Sequence, residues 1–122
     1  ELLLDVAHNP QSIDRLAAWL QANPARRGNT LVMGAMRDKP VAQLVERLTP
    51  VIDRWIAVAA DLERAMEAAE LAAIMAQAAG APALVAGSPI AGLRSAQSLT
   101  PQDGRIVVAG SFPVVGAIRA AL

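Results

Sequence analysis

Apolar residues in this chain fall into two textures that alternate from one end to the other. Residues 2–6, 30–33, 55–60, 83–86 and 105–109 are short, nearly continuous apolar runs. They are too short for helices and lack the in-out alternation of a half-solvated strand, so each is predicted as a strand covered on both faces. After each run, apolar side chains recur every three or four positions, the spacing of one helix face. Ile13, Leu16, Ala17 and Leu20 form such a stripe behind Asn9-Pro10, a cap followed by proline at the first helical position, and Asn23-Pro24 with Arg26-Arg27-Gly28 break it. Val41, Leu44, Val45 and Leu48 form the next, opened by Pro40. A third helix is expected over about residues 63–79, with Leu71, Ile74, Met75 and Ala78 inward and Gly80 as its C-cap. A weaker one runs from Pro89 to about Ser98, closed by the turn-like Thr100-Pro101-Gln102-Asp103-Gly104, and a last one from Pro113 to Leu122 turns Val114, Val115 and Ile118 to the sheet.

Alternation of this kind predicts one α/β domain over residues 1–122, a Rossmann-like three-layer sandwich with a mostly parallel sheet. The strands end on small or polar residues: Asp5, Gly34 to Lys39, Asp61, Ser88 and Ser111. In a parallel sheet those ends share one rim, where helix N-termini offer unpaired backbone donors and a positive dipole. Function is therefore expected there.

Composition narrows the choice. The hydrophobic fraction is 54% with only 2% aromatic residues, which predicts an aliphatic core. Basic and acidic residues balance at 11 each, and no basic stripe with stacking aromatics occurs, so nucleic acid is not an expected partner. The absence of cysteine and a single histidine leave no disulfide, no thiolate zinc site and no multi-histidine cluster, and no metal site is expected within the chain. No apolar run approaches the roughly 20 residues that span a bilayer, and no signal-like segment is present, so a cytoplasmic domain without membrane contact is expected. Glu1 leads at once into Leu2-Leu3-Leu4 without a solvated lead-in, which predicts that further chain precedes it.

Three strand ends carry candidate chemistry. Asp5, His8 and Asn9 fall in one turn, where a carboxylate could accept from ribose hydroxyls or simply satisfy backbone donors, and where Asn9 could serve only as a cap. Gly34-Ala35-Met36-Arg37-Asp38-Lys39 sets two cations and a carboxylate at the second strand end, either an anion site or a solvated loop. Arg64, placed in the first turn of the expected third helix, faces the same choice. Gly110-Ser111 can present a hydroxyl and backbone amides to an anion, or act as turn and cap. Neither Gly-x-x-x-x-Gly-Lys-Ser/Thr nor Gly-x-Gly-x-x-Gly is present, and Ser88 and Ser111 lack the Gly-x-Ser-x-Gly elbow of a hydrolase.

Taken together, Leu4-Asp5-Val6-Ala7-His8-Asn9-Pro10, Gly34 to Lys39 and Val108-Ala109-Gly110-Ser111-Phe112 resemble, in order and spacing, the C-terminal domain of the bacterial bifunctional dihydrofolate/folylpolyglutamate synthases of the Mur ligase superfamily. The resemblance implies ATP-dependent joining of L-glutamate to dihydropteroate or folate through an acyl phosphate. It implies ATP and Mg2+ as cofactors, bound mainly by a central domain that this chain lacks, so the isolated domain should be inactive. By position, Asp5 resembles a ribose contact, and His8, with Asn9 beside it, sits in the motif facing nucleotide and acyl group. Lys39 and Ser111 resemble glutamate-site residues, as do Asp38 and Arg64; His8 and Lys39 are the implied catalytic pair. Pro40 and Pro113 depart from the family pattern, and Glu63-Arg64 stands where relatives often carry proline-arginine. The alternatives are the matching domain of a peptidoglycan precursor ligase and a non-catalytic α/β binding module.

Overall fold

A computed structural model describes residues 1–122, except for the side chain of Phe112. Five strands and five helices alternate: β1 Leu2–Leu4, α1 Pro10–Ala22, β2 Asn29–Gly34, α2 Val41–Leu48, β3 Arg54–Ala57, α3 Ala68–Ala79, β4 Ala83–Val85, α4 Pro89–Leu99, β5 Arg105–Gly110 and α5 Phe112–Ala121. The strands form one sheet in the order β1-β5-β2-β3-β4, every pair of neighbours parallel.

Pleating sorts each strand's side chains onto opposite faces. Leu31, Met33, Trp55, Ala57, Val107 and Ala109 pack under Ile13, Leu16 and Leu20 of α1, Leu44 and Leu48 of α2, and Leu71 and Met75 of α3. Their neighbours Val32, Ile56 and Val108 face the other way, onto Leu93 and Ala96 of α4 and Val114, Val115 and Ile118 of α5. Connections that advance along the sheet cover one face, and the connection that returns to β5 covers the other, as right-handed crossovers require. Gly92 of α4 lies so close to the sheet that a Cβ there would strike Val58 Cγ1.

The expected elements are all present, with shifted bounds. β1 stops at Leu4 and β3 at Ala57, each followed by one more backbone bond to the neighbouring strand, from Asp5 N–H to Val108 O at 2.9 Å and from Val58 N–H to Met33 O at 3.0 Å. The larger difference is α3, which starts at Ala68 rather than near Glu63. Residues before it are engaged elsewhere: Arg64 O accepts from Arg37 N–H and Met66 N–H donates to Ala35 O, both at 2.9 Å, with Met36 bridged antiparallel to Ala65. Backbone groups committed to that pairing cannot open a helix, so Arg64 is a loop residue and not a first-turn arginine. Gly80 closes α3 in the left-handed conformation, as expected. Among the described residues no helix is long and apolar enough to cross a membrane.

Candidate functional site

β5 enters the sheet between β1 and β2, and its helix leaves to the opposite face from theirs. The chain thus diverges at the carboxyl ends of three adjacent strands, the kind of crevice in which open α/β folds take ligands. The Asp5–Asn9 turn, the Gly34–Lys39 loop and the Gly110-Ser111 corner all lie on that rim. They are drawn together by backbone: Gly110 N–H donates to Ala7 O at 3.0 Å, and Ser111 N–H to Gly34 O at 3.3 Å.

Between these segments lies a cavity of about 150 Å³, lined by His8, Lys39 and Ser111 over an apolar floor that includes Met33, Ala35, Met36 and Leu44. Ser111 is buried and precedes the first turn of α5, yet its side chain makes no capping bond to that helix. His8 Nδ1 lies 2.7 Å from Val6 O. A carbonyl oxygen only accepts, so Nδ1 is the donor in this bond. The turn is further held by Ser12 Oγ, which accepts from His8 N–H at 3.1 Å and from Asn9 N–H at 3.2 Å.

The cations of the rim divide cleanly. Arg37 pairs with Glu70 at 3.3 Å and Arg64 with Asp38 at 3.1 Å, both exposed. Lys39 makes no ion pair among the described residues and borders the cavity. It is also the only lysine in the chain, every other cation being arginine. A compact ammonium, unlike a planar guanidinium, offers a point charge to a carboxylate in a confined space.

Asp5, Asn9, Asp38 and Arg64 do not line that cavity. Asp5 Oδ1 accepts from Ala7 N–H at 2.9 Å, and Asp5 borders a separate groove with Ser12, Arg15 and Trp19 between β1 and α1. Asn9 Oδ1 accepts from Ser12 N–H at 2.8 Å, completing a reciprocal capping box. The cavity therefore unites one expected residue from each of the three segments, His8, Lys39 and Ser111. The apolar floor is not legible in the sequence, where Met33 and Leu44 read as core positions of β2 and α2 and Met36 as part of a charged loop.

Several solved structures share this fold. A folylpolyglutamate synthase from Mycobacterium tuberculosis complexed with ADP aligns with a TM-score of 0.92 at 25% identity, over 98% of this chain and 29% of that one. A bifunctional folylpolyglutamate synthase/dihydrofolate synthase with Mn, AMPPNP and L-glutamate bound aligns at 0.89 with 28% identity, over 98% and 28%. For E. coli FolC in complex with DHPP and ADP the values are 0.88, 24%, 98% and 28%, a likeness of fold alone. The chain thus spans less than a third of the length of each of these structures. No curated protein sequence matches it. Residues 1–112 match the family model described as Mur ligase, glutamate ligase domain, and the chain belongs to that family.

Proposed function

We propose that this chain is the C-terminal domain of an ATP-dependent ligase that adds L-glutamate to dihydropteroate or folate, and that its rim completes a site shared with a nucleotide-binding domain. The observation that carries the reading is the cavity in which His8, Lys39 and Ser111 meet. Support comes from the family to which the chain belongs and from the folate-ligase structures it resembles.

The reaction activates a carboxylate as an acyl phosphate, which the amine of glutamate attacks with loss of phosphate. In this chain, Lys39 holds a carboxylate of the incoming glutamate, and its charge is poorly screened over an apolar floor. The Ser111 hydroxyl donates a second hydrogen bond to that substrate. His8, with its proton fixed on Nδ1 by Val6 O, takes a proton from the substrate ammonium at Nε2, leaving the amine free to attack. Asp5 accepts from Ala7 N–H through Oδ1, and its other oxygen, Oδ2, accepts from a ribose hydroxyl. Asn9 orders the same turn through its cap.

No three histidine, cysteine, aspartate or glutamate side chains cluster as a cation site among the described residues. In this reading the Mg2+ that accompanies the nucleotide is bound mainly by the other domain, since such a cation takes one or two carboxylates together with phosphate oxygens rather than a full protein cage.

The test is made on the full-length protein. ADP release should require both glutamate and a pteroate or folate acceptor, and Lys39→Ala should raise the glutamate KM by roughly tenfold or more, the loss of a charge-assisted bond of about 1.5–3 kcal/mol. Turnover on a peptidoglycan precursor instead, or a glutamate dependence unaltered by Lys39→Ala, would overturn the reading.

A further inference from the structure

The loop that carries Lys39 is strapped from outside. Met66 and Arg64 pair through their backbones with Ala35 and Arg37, and Met36 bridges Ala65. The strap brings the Arg64 guanidinium to 3.1 Å from the carboxylate of Asp38, the residue immediately before Lys39. Both side chains are largely exposed, at 72% and 53%, a setting in which an ion pair adds little to folding. What such a pair does change is the local competition between charges.

Asp38 is the carboxylate nearest to Lys39 along the chain. Left without a cation, it would attract the neighbouring ammonium and compete with any carboxylate brought by a substrate. Arg37 is turned instead to Glu70, at 3.3 Å. With Arg64 on Asp38, the Lys39 side chain borders the cavity and pairs with no carboxylate among the described residues.

We propose that Arg64 is a positioning residue: by occupying the Asp38 carboxylate it keeps the Lys39 ammonium directed to the cavity and available to the carboxylate of the incoming amino acid. The proposal rests on the reading of Lys39 as the cation that holds glutamate. It has a particular consequence. Arg64 acts only through the charge of Asp38, so removing that charge makes Arg64 dispensable.

The experiment compares steady-state kinetics of R64A, D38N, the double variant and K39A in the full-length protein, with glutamate varied. R64A should raise the glutamate KM about fivefold with kcat held within about twofold, the scale of one exposed charge pair. R64A combined with D38N should return to the D38N value, because Arg64 has nothing to neutralise once that carboxylate is gone. A direct substrate contact or a purely structural strap predicts no such rescue. A double variant as impaired as R64A, or an R64A indistinguishable from the parent, overturns the proposal while K39A still raises KM. If K39A itself leaves the glutamate KM unchanged, the reading of Lys39 fails and this inference falls with it.

Discussion

Gly110, the last residue of β5, lies against the carbonyl of Gly34, the last residue of β2, so closely that a Cβ on Gly110 would run into Gly34 O. Gly110 also has φ 114°, a conformation that side chains with a Cβ rarely adopt. The contact sets Ser111 over the rim beside Lys39. Gly110→Ala should therefore destabilise the domain by about 2 kcal/mol or more, adding a clash to backbone strain. Gly80→Ala is the control: φ is 67° but nothing lies within 4 Å of an added Cβ, so only the conformational cost of about 1 kcal/mol applies. Chemical denaturation of both variants checks the order.

His8 is half-buried at the cavity, and its ring bonds Val6 O within its own turn. Replacing it with alanine in the full-length protein should lower turnover by about 10²-fold or more, the usual scale for loss of a proton-transfer group, with the melting temperature nearly unchanged. Turnover equal to the parent would remove His8 from the chemistry.

Asn9 sits beside His8 but has a structural assignment of its own. Its Oδ1 accepts from Ser12 N–H at 2.8 Å at the start of α1. Asn9→Ala should cost about 1 kcal/mol of stability, and Asn9→Asp or Asn9→Ser should recover most of it, since each supplies an N-cap oxygen. Urea midpoints at constant slope are the measurement.

At the opposite end of the sheet, Arg105 is almost wholly buried, donates to Glu1 at 2.8 Å and to Asn23 O, and lies over the Trp19 ring. Hydrogen bonding and attraction from Arg105 hold the Glu1 carboxyl below its ordinary value of 4.5. A carboxyl whose folded value is depressed stabilises the fold above its unfolded value and loses that contribution as pH falls through the folded one. Glu1→Gln should thus reduce stability at pH near 7, and the gap to the parent should close in acid, below 4.5. A gap that stays constant with pH would contradict the pairing.

The expected and observed elements agree most closely where local chemistry marks an end. Asn9-Pro10 starts α1, Gly80 ends α3, Ser88 caps α4 by accepting from Ala91 N–H at 3.1 Å, and Gly110 closes β5. The start of α3 was not legible. Glu63, Arg64 and Ala65 have acceptable helix propensity, and only their pairing with the loop after β2 holds them out of the helix. The same pairing joins Arg64 to Asp38 across 26 positions of sequence, a relationship that no local pattern announces.

The amino-acid sequence by itself determined which segments are strands and helices, which side chains face inward, and that polar groups gather where strands give way to helices. These follow from periodicity and capping, which are properties of neighbours along the chain. Tertiary structure alone decided that β5 inserts between β1 and β2 and that His8, Lys39 and Ser111 therefore share a cavity. It also decided that Asp38 and Arg64 face each other rather than that cavity. The reason is physical: hydrophobic spacing states which face must be buried, whereas the partner that buries it is chosen by long-range backbone pairing and close glycine packing.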